Sequence, residues 1–239
     1  MFEIDGIVIK TTQFNDNDLM VNVITNSGLV SFLAKGVMKI DSKNSSSLQI
    51  LSKSHFQITS GKKGYCLRTG VLINPILNGI NDFPFLAVIN YVSELVYKTI
   101  ITNDDATSIY PFLEKTQLFL SKNTHPLTDL LFFISQIMKC IGIGLNVDKC
   151  QNCGKTSQIV GVSYLDGGFI CENCFDRLNA VKYYADELKI LRYIFKTDLE
   201  HYEEVEFDKE CCLKLIFDLT KFIENLTGVK ISSKKLLKI

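Results

Sequence analysis

The chain reads as an α+β protein of several modules, and three features of the sequence say so. Hydrophobic residues alternate with period two from Phe2 to about Ile73 and recur with a period near 3.6 beyond Asn74 and Pro75. Between about 146 and 178 the helical pattern is interrupted by two Cys-x-x-Cys pairs. A five-stranded barrel followed by a mainly α-helical domain, with a four-cysteine zinc module inserted in it, is therefore the expected architecture.

The barrel is expected over residues 1–78, built from strands at about 2–11, 18–26, 28–36, 48–60 and 64–73. Asn26-Ser27-Gly28 between two apolar runs marks one hairpin, and Gly61-Lys62-Lys63-Gly64 marks another. Phe56 and Ile58 alternate with His55, Gln57 and Thr59, the period of a strand with one buried face. Five short strands at this spacing suit a small barrel like the oligonucleotide-binding (OB) fold. The segment VMKIDSKNSSS between the third and fourth strands is polar and serine-rich, and should form a mobile surface loop.

Helices are expected near 84–102, 105–122 and 126–142, then near 185–197 and 208–227. Leu86, Ile89, Val92, Val96 and Ile100 lie on one face of the first. Thr124 and Pro126 mark the start of the third, and Gly228 suits a left-handed C-cap for the last. The helical domain would then comprise 79–145 and 179–239, with the metal module at 146–178. The closing VKISSKKLLKI is basic.

Cys150 with Cys153 and Cys171 with Cys174 are the candidate metal ligands. A thiolate pair two residues apart can grip an ion from one tight turn, and a second pair completes a tetrahedral four-sulfur shell. Zinc is the default occupant in a structural role, since four thiolates leave no position for a reactive water. An iron–sulfur cluster accepts the same ligand set. Gly154 stands where the first knuckle needs positive φ, whereas Phe175 holds the matching place in the second. Cys66, Cys140, Cys211 and Cys212 lack metal spacing and read as buried structural thiols.

Composition sets the remaining bounds. With 46% hydrophobic and 22% charged residues the chain can bury a real core, and no apolar run approaches the length of a membrane span. MFEIDGIVIK runs straight into strand-like alternation, so the expected compartment is the cytoplasm. The formal net charge is zero, yet residues 1–80 carry eight Lys and Arg against five Asp and Glu, which makes this end the candidate for polyanions. His55, His125 and His201 lack a nucleophile at recognisable spacing, and no glycine-rich phosphate loop occurs, so no catalytic residues are assigned.

The order of these parts resembles the RecO family of DNA repair and recombination mediators. The resemblance rests on GIVIKTTQFNDNDLMVNVIT, GLVSFLAKG with Ala34-Lys35-Gly36, and Leu48-Gln49 in the barrel. In the helical part it rests on Tyr91 and Glu94 in NYVSEL, the approach GLNVDKCQNCG, and the ending VKISSKKLL. It implies a factor without enzymatic activity that binds single-stranded DNA and the single-stranded-DNA-binding protein. It further implies action with RecR in strand annealing or recombinase loading, in the cytoplasm at the nucleoid. Where the family has a basic run after Ala-Lys-Gly, this chain reads VMKIDSK, with Asp41 in place of a cation.

Lys35 matches the family position retained intact and is the first candidate for DNA contact. Lys39 and Lys43 in the following loop, Lys62 and Lys63 in a hairpin turn, and Arg68 in the last strand complete the set. Turns are exposed and favour lysine in any case, so each of these also reads as an ordinary solvated cation. Phe14 and Tyr65, beside polar turn residues, are the candidates for base stacking, whereas Phe32 and Phe56 read as core. A zinc-ribbon protein of RNA metabolism or transcription, and a scaffold that binds protein alone, are the competing functions.

Overall fold

A computed structural model describes residues 1–61, 64–76, 82–122, 124–177, 179–203 and 205–238. Lys62 and Lys63 lie outside the described residues. The chain divides into two compact units, Met1–Pro126 with Ile231–Ile239, and Leu127–Lys230.

The first unit is built on a closed barrel of β1 (Phe2–Asn15), β2 (Asp18–Thr25), β3 (Gly28–Ala34), β4 (Lys53–Gly61) and β5 (Gly64–Asn74), in the order β1-β2-β3-β5-β4. Antiparallel ladders join all neighbours except β3 and β5, which meet in parallel only at Phe32 with Tyr65 and Leu33 with Cys66. The period-two pattern turns Val8, Val21, Val23, Phe32, Phe56 and Ile58 inward, with the Phe32 and Phe56 rings 5.1 Å apart. This is the OB-like barrel that alternation predicts.

The fourth strand starts later than expected, at Lys53 rather than near residue 48. Ser45–Leu48 forms a 3-10 turn, and Leu51 takes a positive φ of 59° while its N–H bonds the Val8 carbonyl at 2.7 Å. Nor is the loop before it polar throughout: Val37, Ser47 and Leu48 are buried. Asn44 accepts the Gly70 N–H at 3.0 Å and donates to the Arg68 carbonyl at 3.2 Å, so one carboxamide occupies the edge of β5 where no strand pairs with it.

Helices α1 (Phe83–Thr99) and α2 (Asn103–Lys122) belong to the same unit as the barrel. The Ser93 hydroxyl donates to the Ile9 carbonyl, Leu29 N–H to Asn103 Oδ1 at 3.1 Å, and Lys53 pairs with Glu114 at 2.5 Å. The first helix ends before the expected residue 102 because Thr102 and Asp105 exchange hydrogen bonds in a capping box that starts α2. Ser233–Lys238 forms a 3-10 turn on α1, with Ile231 and Leu237 buried.

The second unit holds most of α3 (Pro126–Cys140), together with α5 (Ala185–Lys196) and α6 (Lys209–Thr227). Gly228, at φ 73°, ends α6 in the left-handed cap that favours glycine. Strands β6 (Ile159–Ser163), β7 (Gly168–Cys171) and β8 (Val181–Lys182) form a small sheet in the order β7-β6-β8, and α4 (Glu172–Phe175) is a single turn. Of the four other cysteines only Cys212 is buried; Cys66, Cys140 and Cys211 are half-buried, which corrects their reading as core thiols. Among the described residues no helix is long and apolar enough to cross a membrane.

Candidate metal centre and nucleic-acid interface

The four cysteines predicted from spacing converge: the sulfurs of Cys150, Cys153, Cys171 and Cys174 all lie within 4.8 Å of one another. Tetrahedral coordination at the usual zinc–sulfur length of about 2.3 Å places sulfurs about 3.8 Å apart. The Cys153 and Cys171 sulfurs stand at 3.6 Å, so the donor set fits a single ion. Cys150, Cys171 and Cys174 are buried and Cys153 is exposed, which leaves one side open to solvent.

Local structure aims these thiols. Gly154 takes a φ of 75° and donates to the Cys150 carbonyl at 2.9 Å, while the Cys150 N–H bonds Lys155, and this closes the first knuckle. Hydrogen bonds from Gln151 N–H to the Phe169 carbonyl and from Phe169 N–H to the Asn146 carbonyl hold that knuckle on β7. The second knuckle is the helical turn α4, in which Phe175 needs no positive φ, so its side chain is no defect. It packs against the cysteine cluster.

Burial pushes the Cys150 thiol up, but backbone N–H groups of Cys171, Cys153 and Asn152 outweigh it and bring the group down to about 6. For Cys171, burial and the neighbouring thiols both act upward, to about 11. The Asn152 side chain donates to Cys174 sulfur at 3.2 Å. N–H donors facing sulfur are the supporting contacts a thiolate shell requires.

Polar contacts, among them those of Arg192 and Tyr183, join the module to the helices of its own unit. The Arg192 guanidinium lies over the Phe169 ring, and its Nε donates to the Val147 carbonyl at 3.1 Å. The Tyr183 hydroxyl donates to Asp218 on α6 at 2.7 Å and meets the Tyr164 hydroxyl at 2.6 Å.

The barrel carries the predicted cations. Lys35, Lys39, Lys43 and Arg68 are all exposed. Lys35 and Lys39 fall near one carboxylate: the Asp18 carboxyl is held below its ordinary range by the Gly36 N–H at 2.8 Å, the Asn15 side chain and these two ammonium groups. Phe14 and Tyr65 are exposed and Phe32 and Phe56 buried, as their neighbours in sequence suggest. The structure separates the two exposed rings: Phe14 is near the β1–β2 turn, whereas Tyr65 stands edge-on to Phe2 at 5.9 Å, where β5 begins. Sequence reasoning missed Met38 and Ile40, both exposed beside Lys39, because they registered only as absent charges.

Comparison with known proteins agrees with the architecture. The model of the Recombination protein O N-terminal region matches residues 1–76, and that of the C-terminal region matches 80–235. The DNA repair protein RecO of Halalkalibacterium halodurans is 24% identical over 98% of this chain and 92% of its own length. The RecO proteins of Mesoplasma florum, 28% identical over 73% of this chain and 67% of its own, and Bacillus cereus, 23% over 99% and 97%, are similar. Matched in both regions across nearly its whole length, with the barrel, helices and cysteine cluster in the order described, the chain belongs to the RecO family.

Proposed function

We propose that this protein is a non-enzymatic mediator of DNA repair and homologous recombination. Its barrel binds single-stranded DNA, its four cysteines hold one structural zinc ion, and it acts with RecR and the single-stranded-DNA-binding protein in strand annealing and recombinase loading, in the cytoplasm at the nucleoid. The observation that carries this reading is a closed OB-like barrel with exposed lysines at one end, in a chain matched to the RecO family over both its regions.

Zinc is favoured over an iron–sulfur cluster because the sulfurs converge on one point, whereas a multi-iron cluster would hold its thiolates apart across its own inorganic core. Lys35, Lys39, Lys43 and Arg68 are the proposed phosphate contacts, with Lys62 and Lys63 as further candidates. Phe14 and Tyr65 are the proposed stacking faces.

The test is a salt titration of affinity for single-stranded DNA, duplex DNA and RNA oligonucleotides, with and without the acidic C-terminal tail of the single-stranded-DNA-binding protein. Preference for single-stranded DNA, together with saturable binding of the tail, supports the proposal. Preference for RNA would move the protein to RNA metabolism, and binding of protein alone would make it a scaffold.

A further inference from the structure

We propose that Phe14, Met38 and Ile40 form an apolar tip on the barrel that contacts the bases of an unpaired DNA strand, so that base contact rather than phosphate attraction supplies most of the affinity; this rests on the function proposed above. The three side chains are exposed large hydrophobics, Phe14 at the end of β1 and Met38 and Ile40 in the segment after β3. The two segments are fastened together. Met38 N–H donates to the Asn17 carbonyl at 3.1 Å and Gly36 N–H to the Asp18 carboxylate at 2.8 Å, which joins the segment after β3 to the β1–β2 turn. Within the segment, Lys39 N–H bonds the Gly36 carbonyl and Ser42 N–H the Lys39 carbonyl. The backbone of the tip is thus tied by hydrogen bonds before any ligand arrives, which lowers the ordering cost of binding.

Charge alone does not make this end a polyanion site. Asp16, Asp18 and Asp41 accompany Lys35, Lys39 and Lys43 in these segments, and Asp18 lies within reach of Lys35 and Lys39, which offsets part of their charge. Exposed apolar side chains in such a setting offer a face to an apolar partner. Their order argues for an unpaired strand: Met38-Lys39-Ile40 sets an ammonium group between two apolar groups, and a single strand sets a phosphate between successive bases. In a duplex the base faces are stacked and out of reach.

The experiment compares binding of the full protein to a thymidine oligonucleotide and to an abasic strand of equal length, at low and high salt. The proteins are the wild type, the double variant Met38→Ser with Ile40→Ser, and Phe14→Ser. All three side chains are exposed, and thermal melting checks that each variant is folded. The wild type should prefer the base-bearing strand by about tenfold or more, and the preference should persist at high salt. The double variant should lose about tenfold on the base-bearing strand and nothing on the abasic one. Equal losses on both strands, or none on either, overturn the tip while leaving single-strand binding intact. Loss of a protein partner with DNA binding unchanged also overturns it. A wild type that binds neither strand removes the proposed function itself.

Discussion

Glu94 holds Ser233 across 139 residues of sequence: its Oε2 accepts the Ser233 backbone N–H at 2.7 Å and the Ser233 hydroxyl at 2.5 Å. Oε1 takes the Ser232 N–H at 3.0 Å and the Lys98 ammonium at 2.6 Å. One carboxylate on α1 therefore satisfies the first N–H groups of the terminal 3-10 turn and seats Ile231 and Leu237 in the first unit. Two strings that carry the family resemblance, NYVSEL and VKISSKKLL, are here the two sides of one contact.

Replacing Glu94 with Ala should loosen the C-terminal segment and cost about 2 kcal/mol, the scale of hydrogen bonds to a charged group. Burial pushes the Glu94 carboxyl up, but the bonds from Lys98, Ser233 and Ser232 outweigh it and hold the group at about 2, below its ordinary 4.5. A depressed carboxyl stabilises the fold fully above its unfolded value, and that stability is lost as pH falls through the folded value. The gap between wild type and Glu94→Ala in urea unfolding should thus be constant at neutral pH and close between about pH 4.5 and 2. A gap that did not change with acid would show that the carboxylate charge is not what holds the tail.

The Asn44 carboxamide gives a second prediction, on the barrel itself. Asn44→Ala leaves the Gly70 N–H and the Arg68 carbonyl without their partner and should destabilise by about 1–2 kcal/mol. Asn44→Asp keeps the acceptor for Gly70 but loses the donor to Arg68, so it should fall between wild type and Ala. Hydrogen exchange at the Gly70 amide separates the two: faster exchange is expected in Asn44→Ala and near-native exchange in Asn44→Asp.

For the metal centre, freshly purified protein should contain one zinc per chain with sulfur distances near 2.3 Å by X-ray absorption. Cys171→Ser, which removes a buried cysteine of the cluster, should lower the melting temperature and zinc content more than Cys153→Ser at the exposed position. Chelation of the wild type should reproduce the Cys171→Ser loss. Stoichiometric iron in place of zinc would overturn the assignment of the ion, and a metal-free protein with unchanged melting would overturn the structural role.

How much of this was legible in the sequence follows from the range of each interaction. Alternation around Phe56 and the paired Cys-x-x-Cys strings are local, so the barrel strands and the four converging cysteines could be read directly. Gly228 ended its helix where a left-handed cap was expected. The start of β4 was misplaced because Leu48 and Leu51 look like strand residues, although Val8 on another strand dictates the hydrogen bonding of Leu51. Glu94 could be noticed as part of a motif, but nothing local says that its partner lies beyond Lys230. Phe175 was judged against a glycine knuckle, whereas its segment solves the same problem with a helical turn.

The last prediction concerns the lysines after β3 and the acid among them. Each phosphate neutralised on a single strand contributes about 0.7 to the slope of log affinity against log salt. With two or three of Lys35, Lys39 and Lys43 engaged, the slope should be about 1.4 to 2, shallow for a dedicated binder. Lys35→Glu removes one cation and adds an anion near Asp18, so it should weaken binding most at low salt. Asp41→Lys does the reverse in the same loop, and should strengthen binding and steepen the slope by about 0.7 if the new cation reaches a phosphate. Asp41 is exposed, so the substitution should not disturb the fold. If both substitutions leave affinity and slope unchanged while substitutions in the second unit abolish binding, the strand lies elsewhere, and the barrel must be assigned to a protein partner.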